Sequence, residues 1–225
     1  MTMKLASLLI FVLLICLFFS SKAEKEFHHF WLVQTWPSGY CSHRACRKPP
    51  PFFVLHGLWP VTYNGQSLNG SGPGNNNVRA QIANDKSLLS DMTQYWPSLI
   101  HPYYLSFWVR EWNKHGSASP LDPLDYFRRT IQLMKGMDLV DTLRGAGLIP
   151  SQNGSTYPKS RYKNAISAVT QTTSVILKCY SSVIGDLLEE VMFCTDNAAR
   201  NFIACNDDDL RADNCGPNVT FLVRQ

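Results

Sequence analysis

Two short segments of this sequence contain the residue types that move protons in enzyme active sites. Residues 53–60 read FVLHGLWP, and residues 107–116 read FWVREWNKHG. Each contains a His-Gly pair with tryptophan close by, and the second adds a glutamate and a lysine within four positions of its histidine. Because an unperturbed imidazole has a pKa of about 6.5, His56 and His115 can each gain or lose a proton near neutral pH. The pattern therefore favours general acid-base catalysis with a cation nearby.

One reaction needs this whole set of groups. RNA carries its own nucleophile, the ribose 2′-hydroxyl, so its cleavage needs one group that accepts the hydroxyl proton and another that protonates the departing 5′-oxygen. Charged groups must also stabilise the crowded phosphorane. Two histidines can make the proton transfers, and the second segment supplies the charged side chains Arg110, Glu111 and Lys114. The combination predicts RNA cleavage that requires neither a metal ion nor an organic cofactor.

Each segment taken alone has a simpler interpretation. A lone histidine such as His56 in an apolar strand is more often a core residue bonded to a backbone carbonyl. On a helix, Glu111 and His115 lie four residues apart with Lys114 between their rows, and a charged face of this kind is usually solvated. An exposed Glu-Lys pair there would contribute only ~0.3–0.5 kcal/mol. The presence of both His-Gly segments in one chain favours the catalytic interpretation.

The elements that would position these segments predict an α+β fold. Apolar alternation predicts a strand over residues 30–36 and another over 52–55, after which Gly57 lets the chain turn and Pro60 stops the strand. Helical periodicity follows over residues 87–95, 107–114, 122–134, 139–143 and 161–170. Segments rich in β-forming residues then return at 174–177, 190–193, 201–204 and 219–223. Strands at both ends with helices between them predict a mostly antiparallel sheet with several helices packed against it.

The N-terminus predicts export. Lys4 precedes an apolar run from Leu5 to Phe19, and Ser21-Lys22-Ala23 suits signal-peptide cleavage. The run is too short for a membrane span, so we expect a signal peptide over residues 1–23 and one domain over residues 24–225. Cleavage would remove two lysines and lower the net charge from +4 to +2, a mild basic balance that a polyanionic partner tolerates. The expected product is a secreted, extracellular monomer without membrane association.

The cysteines predict disulfides. Cys16 would leave with the signal peptide, and an even number in an exported chain favours disulfides over a metal site. Cys41 and Cys46 bracket a four-residue loop, and the other cysteines crowd the last fifth of the chain, at Cys179, Cys194, Cys205 and Cys215. One local disulfide and a cross-linked C-terminal region are the simplest arrangement. Since no spacing is a CxxC pair, a zinc site is not expected.

Three sequons predict N-glycosylation, at Asn69, Asn153 and Asn218. The first lies in residues 63–77, where glycine, asparagine and serine predominate and large apolar residues are almost missing. Such a composition predicts a long surface loop rather than a separate domain.

The two His-Gly segments resemble the active-site segments of the T2-type ribonucleases. Residues 30–37, FWLVQTWP, are similar to the opening strand of that family, and the cysteine-rich tail also matches. The resemblance extends from Phe27 to the C-terminus. It implies a secreted endoribonuclease of low base specificity that forms 2′,3′-cyclic phosphates and then hydrolyses them to 3′-phosphates.

The same resemblance implies a role for each position. His56 would act as the general acid and His115 as the general base. The phosphate would be polarised, and the transition state stabilised, by Glu111 and Lys114. The substrate cleft would be lined by Gln34, Trp59 and Phe107, where stacking on an unpaired base contributes ~1–3 kcal/mol. The implied disulfides are Cys41–Cys46, Cys179–Cys215 and Cys194–Cys205.

This chain departs from the family pattern in two places. Arg110 replaces a histidine that many members have before the glutamate, and a guanidinium can bind phosphate but cannot shuttle protons. Ala118 stands where many members have a cysteine that is bridged to the loop after the first segment. No cysteine lies between Cys46 and Cys179, so both partners of that bridge are missing, and a crosslink worth ~2–5 kcal/mol is lost.

Within the family, the chain resembles the plant S-locus branch, the pistil ribonucleases of self-incompatibility. The basic balance, Arg110 and the short Cys41–Cys46 loop favour this branch. Residues 63–77 would then recognise a pollen-side protein of the F-box type, or else form an unspecific glycosylated loop. Two other functions stay open. One is an S-like ribonuclease of defence or phosphate scavenging, and the other is a catalytically weak recognition or storage protein on the same fold.

Overall fold

A computed structural model describes residues 26–70, 76–172 and 174–223, and the expected signal peptide lies outside these residues. The strands, numbered in chain order, are β1 His29–Thr35, β2 Val54–Val61, β3 Ser155–Pro158, β4 Ile176–Ser182, β5 Gly185–Thr195, β6 Phe202–Ile203 and β7 Asn218–Phe221. The helices are Pro37–Tyr40, Asn76–Asn84, Lys86–Tyr95, Tyr104–Lys114, Pro123–Lys135, Leu139–Gly145, Lys159–Thr170 and Asp207–Leu210, with a 3₁₀ turn at Gly116–Ala118. The helix Tyr104–Lys114 is called the site helix below.

The strands form one sheet with the order β2-β1-β5-β7-β3, and β4 and β6 also pair with β5. All these pairs are antiparallel except β5 with β7, which meet in parallel at Leu187 and Thr220. The predicted α+β fold with a mostly antiparallel sheet is therefore confirmed. Because β1 lies between β2 and β5, the segment around His56 comes close to the cysteine-rich end of the chain.

Two β-bulges interrupt the sheet near His56, one in the edge strand β2 and one in β5. The pairing of β1 with β2 skips His56, and the pairing of β4 with β5 skips Glu189. A bulge bends its strand and redirects the side chains beside it, and bulges are frequent next to active sites. Thr35 of β1 pairs with both neighbouring strands here, opposite Val54 and Glu190.

The predicted end of the second strand is wrong. β2 continues through Gly57 and Pro60 to Val61 instead of turning after His56. It lies at the edge of the sheet, where a proline is tolerated because its missing N–H is not needed by a further strand. The Pro60 carbonyl accepts a hydrogen bond from the backbone N–H of Leu68 at 2.8 Å.

The five predicted helices are confirmed, with ends that differ by one to three residues, and the site helix begins at Tyr104. The helix Asn76–Asn84 was not predicted, and it begins inside the expected loop of residues 63–77. Its buried face consists of Val78 and Ile82, one turn apart, and two apolar residues are too few to reveal a helical period.

Hydrogen bonds from aromatic side chains connect the site helix to β2. The indole N–H of Trp108 donates to the carbonyl of Trp96 at 2.7 Å, and the indole N–H of Trp96 donates to the carbonyl of His56 at 2.8 Å. The Tyr126 hydroxyl donates to the carbonyl of Leu58 at 2.7 Å. These rings are buried, so the bonds are protected from water and position the backbone of β2 against the helices.

All three disulfides implied by the resemblance are present: Cys41–Cys46, Cys179–Cys215 and Cys194–Cys205. The first closes a loop after the helix Pro37–Tyr40, and the other two cross-link β4 and β5 to the chain near the C-terminus. In the ranges described, no helix is both long and apolar enough to cross a bilayer.

Candidate active site

His56 is held by a carboxylate from the centre of the sheet. Its Nδ1 lies 2.6 Å from Oε1 of Glu190, and the Thr35 hydroxyl donates to the same oxygen at 3.3 Å. The His56 side chain is 30% exposed, whereas that of Glu190 is 11% exposed. The imidazole therefore has one nitrogen occupied inside the protein and an accessible face toward the cleft.

His115 contacts the same tryptophan as His56. Its ring stacks on the indole with centroids 4.9 Å apart and planes inclined by 21°, while His56 meets the same indole edge to face at 5.0 Å. His115 is the C-cap residue that follows the site helix, and its backbone N–H donates to the carbonyl of Glu111 at 2.9 Å. The two histidines predicted from the sequence thus belong to one site and share one aromatic neighbour.

The charged residues of the site helix do not form the solvated face considered above. Glu111 and His115 are buried, at 5% and 3% exposure, whereas Arg110 and Lys114 are exposed. Within the described residues, Nδ1 of His115 has no hydrogen-bond partner, and the Glu111 carboxylate has the Trp59 indole N–H as its neighbour, at a geometry too loose for a regular hydrogen bond. A buried polar atom without a partner is uncommon in folded proteins, and a catalytic role is one explanation for it.

The electrostatic surroundings of the two histidines differ in sign. Burial opposes a charge on His56, but the carboxylates of Glu190 and Glu111 outweigh it and raise the pKa of His56. Burial, together with the positive charges of Lys114 and His56, lowers the pKa of His115 to about 3. Over a wide pH range one imidazole is protonated while the other is neutral. This is the condition under which a general acid and a general base can act together.

Glu111 is influenced by the same charges. Burial raises the pKa of its carboxyl, and the positive charges of His56 and Lys114 act in the opposite direction. A buried carboxyl beside two cations can hold a proton or a negative charge according to what binds next to it.

A cleft of about 200 Å³ opens beside His56. It is lined by Thr35, Tyr40, Val54, Leu55, His56, Pro97, Ser98, Leu99, Ile100, His101, Phe107, Arg110 and Glu111. Of the residues expected to bind substrate, Phe107 and Arg110 face this cleft, and the Arg110 guanidinium lies 5.8 Å from the centroid of the Phe107 ring. Gln34 does not line the cleft, because it is fully buried, with an amide group that lacks partners in the described part of the chain.

The loop after β2 reaches the end of the site helix without a disulfide. The backbone N–H of Gly70 donates to the carbonyl of Lys114 at 2.7 Å, and a Cβ on Gly70 would lie 1.9 Å from the hydroxyl oxygen of Ser117. Ala118, the position of the missing cysteine, lies in the 3₁₀ turn that follows. A close backbone contact thus connects the two segments that the bridge joins in many family members.

One group of side chains in the described ranges has ligand types at metal spacing: His29, Cys194 and Asp209. It does not fit a metal, because the Cys194 sulfur is in a disulfide. The Asp209 carboxylate already accepts from the indole of Trp31 at 3.0 Å and pairs with His29 at 3.2 Å. We assign no metal to this group.

Sequence reasoning missed two parts of the site. Glu190 was placed in a strand without a function, and the segment from Pro97 to His101 was not considered. The signal for Glu190 was present, since two adjacent glutamates before an apolar strand put one carboxylate on the buried face. The residue that the Glu190 side chain would contact depends on the order of strands in the sheet, and local sequence patterns do not reveal that order.

Gly57 permits the close approach of Trp59 and Glu111. A Cβ at this position would lie 2.6 Å from Nε1 of Trp59 and 2.9 Å from Oε2 of Glu111. We therefore expect Gly57→Ala to displace both side chains, to lower kcat/KM and to cost ~1–3 kcal/mol of unfolding free energy. Urea unfolding and steady-state kinetics measure the two effects.

Gly145→Ala is the matched control, because a Cβ there has no atom within 4 Å and the residue ends a helix. It should keep its activity and unfold no more easily than the wild type. Equal behaviour of the two variants would show that the contacts around Gly57 do not matter.

Fold and site together define a class: a disulfide-linked α+β protein with a cleft beside His56 and a second, buried histidine that contacts the same tryptophan. The sequence model of the Ribonuclease T2 family matches residues 27–205. The chain therefore belongs to the ribonuclease T2 family, and it is an endoribonuclease.

Known relatives support this assignment in sequence and in structure. Intracellular ribonuclease LX of Solanum lycopersicum is 33% identical over 200 residues, which cover 84% of this chain and 82% of the relative. The crystal structure of RNase NT in complex with 5′-AMP superimposes with a TM-score of 0.75 at 30% identity, over 88% of this chain and 98% of that one. A ribonuclease of Nicotiana alata associated with gametophytic self-incompatibility superimposes with a TM-score of 0.74 at 26% identity, over 88% and 100%.

Proposed function

We propose that this protein cleaves single-stranded RNA by metal-independent acid-base catalysis, with His115 as the base and His56 as the acid. His115 accepts the 2′-hydroxyl proton, the 2′-oxygen attacks phosphorus, and the bond to the 5′-oxygen breaks as His56 protonates it. The products are a 2′,3′-cyclic phosphate and a free 5′-hydroxyl. A water molecule then opens the cyclic phosphate to a 3′-phosphate, with the two histidines in exchanged roles.

The observation that carries this proposal is a pair of imidazoles in contact with Trp59, one bonded through Nδ1 to Glu190 and the other buried at the end of the site helix, with opposite shifts of their pKa values. His56 is kept protonated by carboxylates, and His115 is kept neutral by burial and Lys114. The general acid must start protonated and the general base neutral, so the assignment of roles follows from the charges around each ring. We assign Lys114 and Glu111 to stabilisation of the phosphorane. Arg110, which lines the cleft together with Glu111, would add a cation for the phosphate chain.

The pH dependence of the rate tests this proposal. As pH rises through about 3, His115 loses its proton and the rate should rise. The rate should fall only at a pH above the usual imidazole value of about 6.5, where His56 is deprotonated, because its pKa is raised. Initial rates of cyclic-phosphate release between pH 3 and 9 should give this broad bell, with circular dichroism to exclude unfolding.

A flat profile, or products that carry a 5′-phosphate, would contradict the mechanism. The rival proposal, a catalytically weak recognition or storage protein, predicts no release of cyclic phosphate by the purified chain at any pH. Arg110 and the missing bridge are the features that favour this rival.

We also propose export from the cell and a role as a pistil ribonuclease of self-incompatibility. Export is supported by the N-terminal sequence, by three disulfides and by sequons whose asparagines Asn69, Asn153 and Asn218 are exposed. The pistil role is supported by Arg110, the basic balance and the short Cys41–Cys46 loop. A pollen-side F-box protein that recognises residues 63–77 is the corresponding partner.

Expression and allelic variation test the pistil role. Accumulation of the protein in the style, with allelic differences concentrated in residues 63–77, is the expected result. Induction in leaves or roots by wounding or phosphate starvation, with little variation between alleles, would favour the defence or scavenging function instead.

A further inference from the structure

The carboxylate that holds His56 lies outside both segments that resemble the family active site. Glu190 belongs to β5, the most extensively paired strand of the sheet, and its side chain is nearly buried. Its Oε1 lies 2.6 Å from Nδ1 of His56 and also accepts a hydrogen bond from the Thr35 hydroxyl. A buried carboxylate is costly without partners, and here both partners are residues of the site or of the adjacent strand.

The sheet places these three side chains together by its bulges. Thr35 of β1 stands opposite Glu190 in register, and the bulge at His56 in β2 lies opposite the step from Val33 to Gln34, just before Thr35. The second bulge, at Glu189, lies immediately before Glu190 on β5. Adjacent bulges on the two strands that flank β1 therefore bring the carboxylate and the imidazole to the same point.

We infer that Glu190 is a positioning residue for the general acid, holding the His56 ring by Nδ1 so that Nε2 faces the leaving 5′-oxygen. This inference rests on the proposed function, in which His56 supplies that proton. The Nδ1–H bond to Glu190 persists when Nε2 gives up its proton, so the neutral ring keeps its orientation. Nε2 can then accept a proton from water in the hydrolysis of the cyclic phosphate. A carboxylate that orients a catalytic imidazole fixes its tautomer and stabilises its charged form.

Other charges also face His56, but none is in contact with it. Glu111 and Lys114 from the site helix act on it with opposite signs, and the backbone carbonyl of His56 is occupied by the Trp96 indole. Among the described residues, Glu190 is the acid that forms an ion pair with this ring. Removing its charge should therefore change the titration of His56 more than any other single substitution of a carboxylate.

Glu190→Gln tests the inference, because the amide keeps the size of the side chain and removes its charge. We expect the alkaline limb of the kcat/KM profile to move to lower pH, mainly through kcat. At pH values above the pKa of His56, each unit by which this pKa falls lowers the protonated fraction of His56 about tenfold. We therefore expect kcat/KM to fall about tenfold or more near pH 7. An NMR titration of the His56 ring protons should show the same downward shift without any assay of activity.

Glu189→Gln is the matched control, because Glu189 is the preceding residue and interacts with Arg44 and His43 instead of His56. Its pH profile and the His56 titration should stay as in the wild type. An unchanged His56 titration in Glu190→Gln, or equal shifts in both variants, would overturn the inference.

Two further variants keep the test decisive if Glu190→Gln does not fold. Thr35→Val removes only the hydroxyl bond to the carboxylate and should shift the titration in the same direction by less. Glu190→Asp keeps the charge, so it should retain most of the alkaline limb while kcat falls. The NMR titration can show a shifted pKa of His56 in these variants while the pH profile of kcat/KM is unchanged. In that case Glu190 does control the pKa of His56, and the assignment of His56 as the general acid is rejected instead.

Discussion

Replacement of His56 by alanine should lower kcat/KM on RNA about 10²–10⁴-fold. The loss in kcat/KM should be much smaller on a substrate whose leaving group needs no proton. The 5′-oxygen of a nucleoside departs as a strongly basic alkoxide unless it is protonated. The leaving group of a 4-nitrophenyl ester of a nucleoside 3′-phosphate is 4-nitrophenolate, which is weakly basic and departs without a proton. A general acid is therefore required for the first substrate and dispensable for the second.

The comparison needs kcat/KM of wild type and His56→Ala on a dinucleotide and on the aryl ester at one pH. His43→Ala is the matched control, because this imidazole stacks on Tyr180 at 3.7 Å and interacts with Glu189 outside the cleft. It should leave both rates unchanged. Equal losses of His56→Ala on the two substrates would mean that His56 does not protonate the leaving group.

Replacement of His115 should have the opposite substrate dependence. The 2′-hydroxyl must lose its proton whatever the leaving group is, so His115→Ala should lose about 10²–10⁴-fold on RNA and on the aryl ester alike. The acidic limb of the pH profile should also vanish, because that limb reports the pKa of about 3 of this imidazole.

His115→Gln separates loss of the base from loss of packing. His115 is 3% exposed and stacks on Trp59, so alanine leaves a cavity that glutamine fills more completely. The two variants should differ in thermal stability but share the kinetic loss. Retained activity on either substrate in His115→Gln, or an acidic limb that survives, would show that another group accepts the proton.

The candidate site residues could be proposed from the sequence because they lie in two continuous segments. His56, Glu111, Lys114 and His115 could be chosen by residue type and spacing, and the site helix follows from its own periodicity. The prediction for the end of β2 is wrong, because Pro60 would stop a central strand but not an edge strand, and the order of strands is not visible in local patterns.

The state of each catalytic group was not predictable in the same way. Glu111 and His115 were expected on a polar face, but the fold buries both, and burial is what lowers the pKa of His115. Two histidines with equal intrinsic pKa values become different only because one meets carboxylates and the other meets Lys114 and apolar surface.

The sequence by itself determined which side chains can carry protons, where most helices and strands form, and which cysteines are available for crosslinks. These properties depend on residue types and on neighbours along the chain. Only the tertiary structure decided that Glu190, 134 residues after His56, would lie against its ring, and that the pKa of one imidazole is raised while that of the other is lowered. The reason is physical: a pKa responds to every charge and to all solvent within a few ångströms, and those distances are set by the order of strands in the sheet.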